Sequence, residues 1–254
     1  MPRLLKMKVK PSGCDSNCKC HTHKIACIAV VVLSIFAIAY GFHRYTLRSI
    51  EKHLFNNPDI IIEALQNKQR MEIERAHEQQ MEALRLMYPI MASDTSTPSL
   101  GKADSTRVIV MFSDYNCEFC KQMHTRLTEM LKKHPDIKIV MKELPVLAPT
   151  SELAARAALA ANKQGRFRQM HAALMANKGE ITDTLITNIA TRNNINVTRL
   201  RTDMQSQEVT QQLETNLAIA NALGIRGIPT MIIGDQMLSG GADEITILEA
   251  LDRI

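Results

Sequence analysis

Residues 25–42 (IACIAVVVLSIFAIAYGF) run for 18 positions without a charged side chain. At ~1.5 Å rise per residue such a helix spans about 27 Å, the hydrocarbon core of one bilayer. A helix buried in a soluble core is seldom so uniformly apolar. Arg3, Lys6, Lys8, Lys10, Lys19 and Lys24 precede the segment, against Asp15 alone. The positive-inside rule therefore keeps the N-terminus cytoplasmic and sends the remainder outward. Ala37-Ile38-Ala39 also fits the small-x-small cleavage site of a signal peptide. The basic stretch before it is long for such a peptide, which favours an uncleaved, single-pass anchor over release by cleavage near Ala39. On either reading residues 43–254 lie outside the cytoplasm.

The basic tail accounts for the whole formal charge of +5, so the remainder of the chain is balanced. Aromatic residues make up 4% and there is no Trp. A folded part without net positive charge or stacking side chains is a poor nucleic-acid binder. Its 45% hydrophobic and 22% charged residues are an ordinary globular mixture.

Cys14, Cys18 and Cys20 precede the apolar run and Cys27 lies within it, so the exported part keeps Cys117 and Cys120. A two-residue spacer closes too short a loop to constrain the unfolded chain, and a domain of this size needs no staple. The run Cys14-x3-Cys18-x-Cys20-His21-x-His23 has soft ligands at metal-like spacing. No second ligand cluster accompanies it, and it reads as reduced thiols in a disordered tail. Asn196-Val197-Thr198 fits a glycosylation sequon that nothing else supports.

The chain divides into a basic tail (1–24), an apolar span (25–42), a helical region (43–91), a linker (92–105) and a globular domain (106–254). Asn57-Pro58-Asp59 starts a helix that continues, rich in Glu, Gln, Arg, Met, Ala and Leu, toward Pro89. Ile73, Ala76, Ala83, Met87 and Ile90 form one apolar row, and Met81, Leu84 and Tyr88 another. This helix must bury its stripe on the domain or on another copy, and self-association is the preferred expectation. The small, polar residues 92–105, with Pro98 and Gly101, read as linker.

Residues 107–112 form a buried strand, 117–134 an amphipathic helix and 137–141 a second strand, which together make a βαβ unit. Residues 151–222 show only helical periodicity, over 152–162, 167–175, 183–191 and 209–223. A strand returns at 230–234, Gly234-Asp235 turns into 236–239, and Asp243 caps a last helix. The expected fold is α/β, a single sheet interrupted by a helical insertion.

Cys117 falls between strand and helix. Unpaired N–H groups and the dipole at a helix N-terminus favour an anion, so Cys117 should be exposed and should ionise below its free pKa of ~8.5. Its thiolate can attack a disulfide, and Cys120, one turn in, can resolve the mixed disulfide. Glu118 in the spacer opposes ionisation and moderates the thiol. His124 and Met123 would suit a soft copper site, although a helical His at that position reads as solvated and Met123 as core. Glu143, at the end of the second strand, is a candidate proton relay for Cys120. Gly227-Ile228-Pro229-Thr230 places a proline at a strand start, either as an edge-strand residue or in a special turn, cis included.

The stretches FSDYNCEFCK, KELP and AARAALAANKQGRF, with NNPDIIIEALQ upstream and Gly-Ile-Pro-Thr before the hairpin, resemble the DsbA-like branch of the thioredoxin superfamily, ScsC-type subgroup. The resemblance covers roughly residues 50–254. It implies a thioredoxin-like fold with a helical insertion, preceded by a membrane helix and an oligomerisation stalk. It further implies a protein thiol:disulfide oxidoreductase, a disulfide isomerase/reductase or an oxidase, with Cys117 attacking, Cys120 resolving, and Ile228-Pro229 as a cis-proline loop that aligns substrate. No cofactor is implied beyond the redox-active pair and no metal. The partners would be exported proteins with cysteines, a membrane redox protein that resets the pair, and further copies of the chain. The spacer Glu-Phe departs from the strongly oxidising Pro-His, which argues against a purely oxidising role. Two rivals remain: a copper- or soft-metal-handling envelope protein, and a non-enzymatic envelope binding protein.

Overall fold

A computed structural model describes residues 18–254, with side chains from residue 28 onward. The side chains of the basic tail, with its Cys14, Cys18 and Cys20 run, lie outside the described residues. The described residues form two compact units that divide between Glu72 and Ile73.

The first unit holds helix α1 (Cys18–Asn56) and the opening of α2 (Pro58–Ser93). Proline at the first position of α2 suits a site whose N–H has no helical partner. Within residues 28–56 an 18-residue window has mean hydropathy 1.6, with none of it buried. That helix is long and apolar enough to cross a membrane. Ile60, Ile61, Ile62, Leu65 and Met71, at the start of α2, are exposed.

The second unit is built on a five-stranded sheet in the order β1-β3-β2-β4-β5. The strands are β1 (Ser99–Gly101), β2 (Arg107–Ser113), β3 (Ile137–Glu143), β4 (Thr230–Ile233) and β5 (Gln236–Ser239). β2 and β3 are parallel, in register from Arg107 opposite Ile137 to Ser113 opposite Glu143. The other pairs are antiparallel. Both faces are covered, so the central strands read as continuous apolar runs rather than alternating ones. Alternate residues still divide between two cores. Val108, Val110 and Phe112 of β2 face Leu84 and Met91 of α2 and Ala220 of α8 (Gln207–Ala222). Ile109 and Met111 face α3 (Glu118–Lys133), the helical insertion and α9 (Glu244–Leu251).

The insertion holds α4 (Pro149–Asn162), α5 (Phe167–Ala176), α6 (Asp183–Arg192), α7 (Val197–Met204) and α8, one helix more than the sequence suggested. The additional helix is α7, and its start explains the apparent sequon. Asn196 is its N-cap, accepting from the Arg199 N–H at 2.9 Å.

Two further expectations are corrected. The stretch expected as a linker carries β1, which pairs with β3, and its Gly101 has φ +80°. A Cβ there would also collide with the Ile137 carbonyl oxygen. The stripe assigned to self-association is partly used within the unit. Leu84 and Met91 are buried on the sheet, the Tyr88 hydroxyl donates to Val108 O at 2.7 Å, and Gln80 Nε2 donates to Leu223 O at 2.8 Å. Ile73 and Ile90, from the first row, stay exposed. The apolar face of β2 and β4 needed a cover, and the row Met81-Leu84-Tyr88 supplies it.

Two lysines of β3 fasten the preceding segment. Lys138 Nζ donates to Ala92 O at 3.1 Å, and Lys142 Nζ pairs with Asp94 Oδ2 at 2.9 Å. Burial alone would raise the Asp94 pKa, but hydrogen bonds from Ser96, Thr97 and Lys142 hold it well below the usual carboxylate range.

Candidate active site

Cys117 is the N-cap of α3, in extended conformation at φ −85° and ψ 114°. Its Sγ accepts from the Cys120 N–H at 3.3 Å, in the position where a capping oxygen usually sits. The sulfur thus sits at the N-terminal end of α3 beside a backbone donor. On its other side Sγ lies 3.7 Å from the Ile228 carbonyl oxygen. The Ile228-Pro229 bond is cis, and the loop is held by Thr230 Oγ1 donating to Gly227 O at 2.7 Å and Gly240 N–H to Pro229 O at 2.8 Å. The structure thus brings Cys117, Cys120 and the Ile228-Pro229 loop together.

The expectation of an exposed Cys117 needs correction. It is 6% exposed, against 0% for Cys120, because the Ile228 loop lies across it. The two are free thiols. Burial, then the neighbouring Cys117, pushes the Cys120 thiol well above its ordinary value, so it stays protonated until a base takes its proton. Phe119, between the two cysteines, is exposed, as are Val146 and Leu147 in the loop after β3.

That loop is fastened to the cysteine loop by Asp114, which the sequence did not single out. Asp114 is 1% exposed. Its Oδ1 accepts from the Asn116 N–H at 2.8 Å, and its Oδ2 from the Val146 and Leu147 N–H groups at 2.9 and 3.1 Å. Asn116 Nδ2 continues the tie by donating to Thr150 Oγ1 and Ser151 Oγ at the start of α4. The signal available was an acidic residue at a strand end, three before a cysteine, which is also how a solvated turn reads.

Glu143 is fully buried rather than solvated. Its Oε1 accepts from the Tyr115 hydroxyl at 2.7 Å, and its Oε2 has no partner among the described residues. Burial pushes its pKa up to about 8, with the Tyr115 hydrogen bond opposing and the Asp114 charge reinforcing. On Cys120 a backbone hydrogen bond from Asp114 lowers the pKa and the Asp114 charge raises it. His124, expected to be solvated, is half-buried, and its Nδ1 lies 3.1 Å from Nε2 of His171. Met123 is 1% exposed, in the core. His171 and Tyr115 were missed by the sequence reading, since a His on the apolar side of a helix and a Tyr before a cysteine both pass as packing.

The DSBA-like thioredoxin domain family matches residues 108–252. Among solved structures, a thioredoxin-like oxidoreductase from Silicibacter pomeroyi is 32% identical with a TM-score of 0.61, over 64% of this chain and 94% of that one. The catalytic domain of Proteus mirabilis ScsC is 29% identical with a TM-score of 0.61, over 68% of this chain and 98% of that one. A curated probable disulfide bond formation protein D from Bacillus anthracis is 22% identical over 64% of this chain and 80% of that protein. Curated Na(+)/H(+) antiporters also match, such as NhaA 1 of Salinispora arenicola, 26% identical over 142 residues. The chain spans about a fifth of that antiporter's length, 22%. The shared part corresponds to 55% of this chain. With strand, capped CxxC helix, helical insertion and cis-proline loop all in place, the chain belongs to the DSBA-like thioredoxin domain family.

Proposed function

We propose that this protein exchanges disulfides in exported proteins through Cys117 and Cys120, working as an isomerase or reductase. One observation carries the reading: Cys117 Sγ caps α3 through the Cys120 N–H while facing the Ile228 carbonyl. The Cys117 thiolate attacks one sulfur of a substrate disulfide. The S–S bond breaks, a Cys117–substrate bond forms, and the released substrate thiolate takes a proton from solvent. Cys120 then gives its proton to Glu143 and attacks the Cys117 sulfur. The Cys117–Cys120 disulfide forms and the second substrate thiol leaves, so two electrons pass to the substrate. Breaking the mixed disulfide before Cys120 acts gives isomerisation. Ile228 and Pro229 align an extended substrate segment, with the apolar side chains of Phe119, Val146 and Leu147 beside it. The reaction needs no cofactor beyond the cysteine pair. A membrane redox protein would return the pair to its working state.

The Cys120→Ser variant tests this reading. It should accumulate a mixed disulfide with a cysteine-containing exported substrate, visible as a reducible adduct on a denaturing gel. A variant that traps nothing would remove the proposed chemistry and favour one of the two rivals, metal handling or simple binding.

The apolar α1 agrees with a membrane-anchored or exported protein. We place the N-terminus in the cytoplasm and the catalytic unit in the periplasm on the charge of the tail. The burial of Leu84 and Met91 takes part of the stripe out of the self-association expected for residues 43–91, and exposed Ile61, Ile62 and Leu65 support it over 43–72. Several active sites on one assembly keep a substrate within reach while its bonds are shuffled. Removing residues 43–72 should therefore lower disulfide isomerisation several-fold more than insulin reduction, whereas an unchanged ratio would remove the oligomer argument.

A further inference from the structure

Four side chains that meet behind the cysteine loop form a continuous line of hydrogen bonds. The Tyr115 hydroxyl donates to Glu143 Oε1 at 2.7 Å and lies 2.8 Å from His171 Nδ1. His171 Nε2 lies 3.1 Å from His124 Nδ1. Glu143, Tyr115 and His171 are fully buried. His124 is half-buried and lines a groove of about 240 Å³ between α3 and α5, with Thr128, Glu129, Ala172 and Met175. His171 is fixed by stacking on Phe167, at 5.0 Å between ring centroids, and by edge contacts to Tyr115 and His124.

The chemistry of the partners sets the direction of every bond. An ionised Glu143 only accepts, so Tyr115 donates to it and must accept from His171 Nδ1–H. His171 Nε2 is then bare and accepts from His124 Nδ1–H, which leaves His124 Nε2 as the open acceptor. Burial lowers the pKa of both imidazoles, His171 well below its ordinary value, and raises that of Tyr115, so the intermediate groups rest uncharged. If a proton binds His124 Nε2 and three hydrogens each move one bond inward, Glu143 becomes a neutral acid. The line then runs in the opposite sense with no hydrogen bond lost.

We propose that His124, His171 and Tyr115 form a proton path that loads and unloads Glu143 from the groove between α3 and α5. This rests on the reading of Glu143 as the group that trades a proton with Cys120. When the Cys117–Cys120 disulfide is reduced, Cys120 leaves as a thiolate and takes a proton from Glu143. When Cys120 attacks, Glu143 receives that proton and returns it outward. The path matters because Glu143 has no exposed atom and its unpartnered Oε2 is turned away from solvent. Asp114 and Tyr115 of the cysteine loop act on Glu143 directly and His171 of α5 joins through Tyr115, with Cys120 as the thiol of the proposed exchange. Ser113 of β2, opposite it in register, and Asn216 of α8, which donates to its backbone carbonyl, are uncharged. At the outer end, His124 faces His171 and shares the groove with Glu129.

The test uses the full chain in detergent, loaded with a Cys117–glutathione mixed disulfide, and follows closure by Cys120 from pH 5 to 9. The ratio of this rate to that of the initial Cys117 attack is compared in wild type, His124→Gln, His171→Gln and Glu143→Gln. Groups that move a proton in the reaction typically contribute ~10²–10⁴-fold, and loss of the outer end should lower the ratio about tenfold near neutral pH. His124→Gly should regain closure when imidazole is added to the buffer, which a packing defect would not. If Glu143→Gln lowers the ratio and the histidine variants do not, the path is wrong and the Glu143 relay stands. If none lowers it, the relay falls and the path with it. Equal slowing of attack and closure in the histidine variants, without imidazole rescue, would assign them to packing and overturn the path.

Discussion

Cys117→Ser is expected to lower insulin reduction and disulfide shuffling on the order of a thousandfold or more, leaving the fold intact. A serine hydroxyl can accept the same Cys120 N–H, so the cap of α3 survives. What disappears is the nucleophile, because a hydroxyl stays protonated at neutral pH and forms no disulfide. Turbidity of reduced insulin and recovery of a scrambled substrate measure the two activities, and a melting curve checks the fold. Full activity in this variant would mean that another thiol attacks. The Ile228 loop adds a second expectation to the same experiment. Since Cys117 is 6% exposed, iodoacetamide should label it in the wild type while leaving fully buried Cys120 unmodified.

Asp114→Ala is expected to cost about 3 to 5 kcal/mol of folding stability, a large effect for a single change. The carboxylate accepts three backbone N–H groups from two loops, and it is 1% exposed. Alanine would leave all three donors unmatched. Asparagine would repair the loss only in part, because its one oxygen can accept from Val146 and Leu147 while its NH₂ group then points at the Asn116 N–H. Urea unfolding of both variants measures this. A loss below about 1 kcal/mol would show that the loops relax and find other acceptors.

The parts of the fold legible in the sequence are those whose cause is local. The buried strand before Cys117, the amphipathic α3, the Gly234-Asp235 hairpin and the Asp243 cap of α9 are each written within a few residues. Elements that depend on distant partners were not. β1 is three residues long and exists through pairing with β3. The inward face of α2 is decided by an apolar sheet surface contributed from β2, β3 and β4. The same holds at the site. Cys117 and Cys120 declare themselves by spacing. The line behind them joins Tyr115 to a partner 28 residues on, Tyr115 to one 56 residues on, and His171 to one 47 residues back. No window along the sequence contains those pairs.

The two lysines of β3 redraw where the catalytic unit begins. Lys138 and Lys142 are 6% and 3% exposed, and each directs its ammonium at chain that precedes β2, to Ala92 O and to Asp94. Cutting the chain at residue 106, where the composition changes, would strip both cations of their counterparts and uncover the sheet edge that β1 closes. The smallest autonomous piece therefore starts within α2, upstream of Leu84. A stretch that reads as dispensable tether is an internal buttress, and evolution cannot lengthen or shorten it as it could a true spacer.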